Sequence, residues 1–174
     1  DTNNDNSLQT TEVTQTSYQC DKTIVNSQMN FNRIATLPSC MQINATCNTN
    51  DVTVAEIVAA SVDGMTLIYT DSPKNQIGFV DITNANSPKA IGVLAMGGEP
   101  TSVAVKGANA LVAVNTSTDF INVSGKLLVV DIASKTAIHS IDLGGQPDSV
   151  AVSPDGKYAV VVIENERDES LNGG

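Results

Sequence analysis

The feature that most constrains the fold is a nine-residue phrase that occurs twice. It reads GGEPTSVAV over residues 97–105 and GGQPDSVAV over residues 144–152, which begins 47 residues later. A degenerate earlier copy, AEIVAA at residues 55–60, places Ile57 46 residues before Val103. Sequence repeats of roughly 20 to 50 residues are typical of solenoids and propellers. The chain is therefore expected to be an array of small, similar units.

Each repeat contains apolar runs of strand length separated by turn residues, a pattern typical of antiparallel sheets. The predicted strands are 57–61, 65–70, 76–82 and 90–96 in the first repeat, 102–105, 110–115, 126–132 and 137–143 in the second, and 149–152 and 158–163 in the third. Asp-Gly turns at Gly64 and Gly156 join the first two strands of a repeat, because glycine adopts the positive φ that a tight turn needs. The runs 127–130 and 159–163 are apolar enough to predict burial on both faces.

These units predict an all-β protein, a β-propeller of four-stranded antiparallel blades present as an incomplete N-terminal portion. A solenoid is the structural alternative, but four strands with Asp-Gly turns fit a radial blade better. We expect a polar, cysteine-containing segment at residues 1–50, then a partial propeller at residues 51–174. Its blades are expected at about 51–98, 99–145 and 146–174, the last one incomplete.

The charge balance limits the partners of the chain. The net charge is −10, the pI is about 4.2, and only 9 residues are Lys or Arg. Nucleic-acid binding is disfavoured because phosphate contacts need a basic face. No apolar run reaches the length of a membrane-spanning helix, so no membrane span is expected. An acidic surface suits solubility, salt tolerance or divalent cations.

The three cysteines indicate the compartment. Cys40 and Cys47 are seven residues apart, a spacing that a small disulfide loop can close, and Cys20 is left over. Disulfides persist in oxidising compartments. The chain is therefore expected to be secreted, periplasmic or at the cell surface.

The first twelve residues match the spacing of a calcium-binding loop. Ligand positions 1, 3, 5, 7, 9 and 12 are filled by Asp1, Asn3, Asp5, Ser7, Gln9 and Glu12. Asn6 replaces the usual glycine, but asparagine tolerates the left-handed conformation better than other non-glycine residues. The alternative is a disordered Asn- and Asp-rich terminus. Calcium is the metal that this spacing predicts.

A second group of acidic residues is expected at one end of the blades, where the loops between second and third strands meet the links between blades. This acidic face comprises Asp71, Glu99, Asp148, Glu164, Glu166, Asp168 and Glu169. Clustered carboxylates repel one another unless a cation neutralises them or their pKa values rise. A divalent-metal site, with calcium favoured by the all-oxygen ligands, is one interpretation, and a solvated acidic rim is the other.

No catalytic set emerges from the sequence. The one histidine, His139, falls in a fourth, outer strand and is interpreted as structural. Ser102 and Ser149 stand at the starts of inner strands without a nearby base. If the chain is an enzyme, its catalytic residues are therefore unknown.

The segment from Gln146 to Tyr158 resembles the propeller repeats of bacterial and archaeal surface proteins. Together with the strings at 70–73 and 97–102, the longer segment through Glu169 is similar to secreted proteins described as having a phytase-like esterase domain. The likeness covers roughly residues 31–174. It implies a secreted propeller and suggests phosphoester hydrolysis, in which calcium ions bridge protein carboxylates and the substrate phosphate.

Two functional hypotheses follow. The first is an extracellular calcium-binding propeller that serves as a binding, scaffold or assembly module, with unpaired strand edges that invite self-assembly or a protein partner. The second is a metal-dependent phosphoesterase with its site on the acidic face and a small phosphoester as ligand. The lack of a catalytic constellation favours the first.

Overall fold

The structure, a computed structural model, describes residues 33–48 and 50–166. The unit described below begins at Ile34. In this part of the chain, ten strands form three antiparallel sheets, and the helical structure consists of two short 3₁₀ helices. The predicted class, all-β with an incomplete propeller-like arrangement of four-stranded sheets, is confirmed.

The strands follow one another along the chain, each paired with its sequence neighbour. The first sheet contains β1 (Ala55–Ala60), β2 (Thr66–Asp71), β3 (Gln76–Asp81) and β4 (Lys89–Ala95). The second sheet contains β5 (Glu99–Lys106), β6 (Asn109–Asn115), β7 (Gly125–Asp131) and β8 (Thr136–Asp142). The third sheet contains β9 (Pro147–Val152) and β10 (Ala159–Ile163). The 3₁₀ helices are Ser39–Gln42 and Ser72–Lys74. The sequence-based strands agree with these bounds to within three residues, the largest difference being that β5 begins at Glu99.

The turns between paired strands form for local reasons. Gly64 and Gly156 have φ angles of 71° and 65°, as the Asp-Gly turns require. In the first turn the Asp63 carboxylate accepts hydrogen bonds from the Ser61 hydroxyl and the Met65 amide. Such side-chain bonds to the nearby backbone stabilise turns from the sequence alone.

The first strand of every sheet has an irregularity near its start. In the second sheet Thr101 is the extra residue between the pairs Pro100–Val114 and Ser102–Ala113. In the third sheet Asp148 is extra in the same way, and in the first sheet the shift falls between Ala55 and Val58. Bulges of this kind bend a strand and redirect its side chains.

The registers of these bulges define which residues are equivalent between repeats. Glu56, Thr101 and Asp148 occupy the same position, 45 and 47 residues apart. The counterpart of Val103 in the first sheet is Val58, since each pairs two residues along from the pair that precedes the bulge. The sequence alignment that used Ile57 was therefore wrong by one residue.

The core lies between successive sheets. Ile68, Ile77 and Phe79 of the first sheet pack in one buried cluster with Val112 and Val130 of the second. A smaller cluster joins the second and third sheets and contains Ala113, Leu127 and Val150. The central strands are thus buried on both faces, as their apolar runs predict.

The prediction of two-sided burial fails for β10. Four of its five residues are exposed, Val160 and Val162 most clearly, with 62% and 52% of their surface accessible. The reason is that, among the described residues, no further sheet packs against the outer face of the third sheet. Strand β8, an outer edge strand, is exposed at all seven residues, including His139.

The repeated Gly-Gly pair has two distinct roles in the link between sheets. The first glycine turns the chain, since Gly97 and Gly144 have φ angles of 66° and 67°. The second allows a close approach, because a Cβ atom on Gly98 would collide with the carbonyl oxygen of Asn115. The link therefore lies directly against the end of β6.

Candidate functional site

A polar groove of about 250 Å³ lies where the starts of the first strands meet the ends of the second strands. We call it the polar groove. It is lined by Glu56, Ser72, Glu99, Thr101, Asn115, Gln146, Pro147, Asp148, Glu164 and Glu166. Residues from all three sheets thus contribute to one site.

The repeat explains why these residues meet. Three structurally equivalent positions supply most of the lining: the bulge position, the residue that follows or ends the second strand, and the residue two positions before the bulge. Glu56, Thr101 and Asp148 share the first position, Ser72, Asn115 and Glu164 the second, and Glu99 and Gln146 the third. The groove is therefore a property of the stacked repeats and not of a single loop.

Hydrogen bonds within the first sheet and between neighbouring sheets lie at the polar groove. The Thr101 hydroxyl donates to the carbonyl oxygen of Pro147 at 2.8 Å, linking the second sheet to the third. The Ser72 hydroxyl donates to the Glu56 carboxylate at 2.5 Å and lies 3.3 Å from the Pro100 carbonyl oxygen. These contacts fix the spacing of the repeats at the site.

Gln146 fixes the segment that follows β10. This side chain has only 6% of its surface exposed, and its Oε1 accepts a hydrogen bond from the Glu166 amide at 2.6 Å. The backbone of Gln146 makes two further hydrogen bonds. Its carbonyl oxygen accepts from the Glu164 backbone amide at 2.9 Å, and its backbone amide donates to Asn165 Oδ1 at 3.0 Å. The backbone of both glutamates is therefore held at the groove while their carboxylates remain accessible.

The structure brings together part of the predicted acidic face. Glu99, Asp148, Glu164 and Glu166 line the polar groove. The sequence analysis missed Glu56, which it placed in the degenerate repeat copy at residues 55–60 but outside the predicted strand 57–61. The equivalence of Glu56 with Asp148 follows from the strand registers. Asp168, Glu169 and the predicted calcium loop (Asp1, Asn3, Asp5, Ser7, Gln9, Glu12) lie outside the described residues.

Asp71 is not a member of the polar groove. Its side chain is 1% exposed, and its two oxygens accept hydrogen bonds from the Val54 amide and from Gln76 Nε2, both at 3.0 Å. The expectation of a rim residue fails because Asp71 ends β2, where its carboxylate turns inward to satisfy the strand that enters the sheet. Its role in the described structure is structural.

The electrostatic character of the polar groove is one-sided. Five carboxylates line it, and none of its lining residues is Lys, Arg or His. In the described part of the chain, no three acidic, histidine or cysteine side chains lie close enough together to hold a metal ion. The groove presents hydrogen-bond acceptors chiefly, and it favours a positively charged group over a phosphate.

Ser102, Ser149 and His139, the residues considered above for catalysis, do not lie in the lining of the polar groove. Ser102 is buried, and its Oγ accepts a hydrogen bond from the Val150 amide at 3.1 Å. His139 lies on the exposed β8 strand of the second sheet, and it is absent from the groove lining. Ser102 is therefore not placed to attack a substrate in the polar groove.

A larger groove of about 450 Å³ lies on the first sheet and is mainly apolar; we call it the apolar groove. One wall belongs to the chain that precedes β1 and includes Ile34 and Leu37. The other belongs to the sheet and includes Leu67, Tyr69 and Val80.

No described helix is long and apolar enough to cross a membrane.

Comparison with known proteins identifies the family. Residues 56–173, which include every lining residue of the polar groove and all three sheets except Ala55, match the Choice-of-anchor I domain. The chain belongs to this family. Membership assigns the Choice-of-anchor I chain to the cell surface or the extracellular space, as a surface-associated β-domain. The surface-protein resemblance is thus confirmed at this coarser level, whereas the family match does not name a phytase or an esterase.

Two solved structures are similar to the Choice-of-anchor I chain. Hydrazine synthase of Kuenenia stuttgartiensis is 30% identical, with a TM-score of 0.52 over 65% of this chain and 30% of that chain. A functionally unknown protein of Desulfotomaculum acetoxidans is 13% identical, with a TM-score of 0.47 over 59% of this chain and 30% of that one. The chain thus spans less than a third of each protein. No curated protein matches it significantly.

Proposed function

We propose that the chain is a binding module at the cell surface that takes a cationic ligand, calcium first, in the polar groove. The observation that supports this function is the assembly of five carboxylates in one groove, four of them at equivalent positions of three repeats, with no basic side chain among the lining residues. The family supports the surface location. The ligand itself is a proposal.

Charge repulsion gives the physical reason. Carboxylates that share a groove destabilise one another unless a cation is present, so a cation gains binding energy by relieving that repulsion. Calcium accepts carboxylate and carbonyl oxygens in flexible geometry. Because no three carboxylates converge in the described residues, binding would draw in glutamate side chains such as Glu164 and Glu166. An affinity in the range of extracellular modules, about 10⁻⁴ to 10⁻³ M, is expected.

Calorimetric titration with calcium chloride tests this proposal. The Asp148→Asn/Glu166→Gln variant is expected to bind calcium at least tenfold more weakly than the original chain. Asp119→Asn/Asp142→Asn removes the same charge from exposed positions outside the groove and is the matched control. Equal calcium binding by all three proteins would contradict a site in the polar groove.

The predicted calcium loop at residues 1–12 is a separate proposal, which rests on its ligand spacing. The Glu12→Gln variant removes the carboxylate expected to bind calcium through both oxygens. If binding is lost in Glu12→Gln and retained in Asp148→Asn/Glu166→Gln, the terminal loop is the calcium site. Native-state binding must also raise the melting temperature in millimolar calcium.

Phosphoester hydrolysis remains an alternative proposal, supported by the sequence resemblance alone. The polar groove has no basic lining residue, so a phosphate would need metal ions to offset the repulsion. Hydrolysis of p-nitrophenyl phosphate that a chelator abolishes and that Asp148→Asn cripples would support it. No activity is carried over from hydrazine synthase, of which the matched region is only 30%.

Self-assembly or protein binding through strand edges is a further part of the proposal. Strand β10 pairs with β9 alone among the described residues, and apolar side chains such as Val160 and Val162 are exposed on it. An unpaired edge of this kind can accept another strand. Sedimentation velocity over a concentration series would show association, and Val162→Lys is expected to weaken it.

A further inference from the structure

The chain that precedes the first sheet is anchored to it by side chains. We call residues 34–48 the strap. Within it, Cys40 and Cys47 form a disulfide, with 5.0 Å between their Cα atoms, and Ser39 is hydrogen bonded to Thr53 at 2.8 Å between hydroxyl oxygens. The 3₁₀ helix Ser39–Gln42 lies against β4.

Gln42 joins the strap to an irregular point of the first sheet. The register of β3 and β4 shifts between Phe79 and Val80, where Ile91 is the extra residue. There the Gln42 Nε2 donates to the Phe79 carbonyl oxygen at 2.6 Å, and the Gly92 amide donates to Gln42 Oε1 at 3.1 Å. One side chain thus bonds to both strands of the bulge.

The same strap forms a wall of the apolar groove. Ile34 and Leu37 lie on one side of that groove, and Leu67, Tyr69 and Val80 of the sheet lie on the other. Movement of the strap away from the sheet would therefore expose the apolar side chains of the sheet to water. The Gln42 contacts and the apolar wall keep the strap in place together.

We propose that the Cys40–Cys47 disulfide is a redox latch that holds Gln42 in the bulge and keeps the strap against the first sheet, which we call the closed form. The disulfide closes a short loop around Gln42, which restricts the conformations of that loop before the two hydrogen bonds form. When the disulfide is reduced, the loop regains conformational freedom, so forming the two Gln42 hydrogen bonds costs more conformational entropy. Gln42 then leaves the bulge more often, and the strap leaves the sheet with it.

The redox chemistry of the latch is a two-electron exchange. A dithiol reductant donates two electrons and two protons to the disulfide, which yields the thiols of Cys40 and Cys47, and the reductant becomes its own disulfide. An oxidising compartment favours the closed form, since disulfides persist there. The latch therefore couples the position of the strap to the compartment of the protein.

Native-state hydrogen exchange of the Gly92 amide tests the latch. We expect exchange in the Cys40→Ser/Cys47→Ser variant, or in the chain reduced with dithiothreitol, to be about ten- to fifty-fold faster than in the oxidised chain. The Leu143 amide, bonded to the Gly125 carbonyl oxygen in the second sheet, is the internal control and is expected to be unchanged. Binding of a hydrophobic fluorescent dye is expected to rise with Gly92 exchange.

Two further variants decide whether the effect passes through Gln42. In Gln42→Ala, Gly92 exchange is expected to be fast already in the oxidised chain, and reduction is expected to add less than twofold. Cys20→Ser removes the third cysteine of the sequence and is expected to leave Gly92 exchange as in the original chain. Unchanged Gly92 exchange on reduction, equal acceleration at Gly92 and Leu143, or a Cys20→Ser effect as large as that of the double variant would each overturn the latch.

Discussion

The Val150 amide donates a hydrogen bond to the Ser102 hydroxyl oxygen across the boundary between the second and third sheets, at 3.1 Å. Both residues are buried, with 7% and 5% of their surface exposed. Val150 follows the bulge in β9 and Ser102 follows the bulge in β5. This bond joins two copies of the repeated phrase and helps to set the distance between neighbouring sheets at the polar groove.

Replacing Ser102 with alanine is expected to destabilise the chain. The Val150 amide would then be buried without a partner, which costs about 1–3 kcal/mol. Chemical denaturation of Ser102→Ala measures this loss. Ser87→Ala, at an exposed position, is the matched control and is expected to change stability by less than about 0.5 kcal/mol. A loss equal to that of the control would show that the bond contributes nothing.

The second glycine of the repeated phrase is expected to tolerate no side chain. In Gly98→Ala the new methyl group meets the Asn115 carbonyl oxygen, and overpacking against backbone is expected to cost more than about 2 kcal/mol. In Gly64→Ala the new methyl group has no atom within 4 Å, so the only cost is the backbone strain of a φ of +71°, about 1 kcal/mol. Thermal unfolding of both variants compares the costs. The reverse order would refute the close approach of the link.

Tyr69 is expected to make the chain sensitive to alkali. Burial, and then the charge of Asp71, raise the pKa of Tyr69 to about 12, while the neighbouring Gln42 amide acts weakly in the opposite sense. The unfolded value is about 10, so the stability held by the neutral phenol is complete below pH 10 and is lost as the pH rises toward 12. At pH 11.5 the loss is about 2 kcal/mol.

Tyr69→Phe provides the test. The Tyr69 hydroxyl is buried without a hydrogen-bond partner among the described residues, so its removal is expected to leave stability at pH 7 unchanged or to increase it. The variant is also expected to lose less stability than the original chain between pH 8 and pH 11.5. A large loss of stability at pH 7 would reveal a partner for the hydroxyl.

Acid is expected to destabilise the turns. Hydrogen bonds to the carboxylate lower the pKa of several aspartates in turns or at strand ends next to turns, namely Asp63, Asp81, Asp119, Asp131 and Asp155. A lowered pKa means that the stability is present above the unfolded value, near 4, and is lost as the pH falls through the folded value. The melting temperature is therefore expected to fall between pH 5 and pH 3.

Ser153→Ala isolates one of these turns. The Ser153 hydroxyl is the first cause of the lowered pKa of Asp155, to which it donates at 2.7 Å. The variant is expected to lose less stability than the original chain between pH 5 and pH 3, and Ser87→Ala is expected to keep the original pH dependence. A variant with the full original dependence would exclude this turn as a contributor.

The strands could be predicted from the sequence because their signals are local. Apolar runs of strand length bounded by turn residues locate the strands, Asp-Gly turns specify the β1–β2 and β9–β10 hairpins, and the structure follows these signals closely. The Cys40–Cys47 disulfide was also predicted from spacing. The site was predicted only in part, because the sequence identified acidic loops without the registers that decide which side chains face the groove.

Asp71 and Glu56 show what local signals cannot decide. Asp71 looks like a rim residue in sequence, but its carboxylate is buried and accepts a hydrogen bond from the Val54 amide, just before β1. Glu56 precedes the predicted strand 57–61 and carries no site signal in the sequence, but it lies at a bulge in β1 and lines the groove beside Ser72. Both outcomes depend on contacts with residues 16 and 17 positions away, namely the Ser72–Glu56 and Val54–Asp71 hydrogen bonds.

The sequence by itself determined the repeat, the four-strand unit and the acidic character of the loops, since periodicity, turn chemistry and charge are carried by neighbouring residues. Only the tertiary structure decided that equivalent positions of three repeats converge on one polar groove, that Gln42 bonds to a bulge 37 and 50 residues away, and that the face of β10 is exposed. The physical reason is that register and sheet stacking depend on contacts distant in sequence, where a shift of one residue reverses the face of every side chain in a strand.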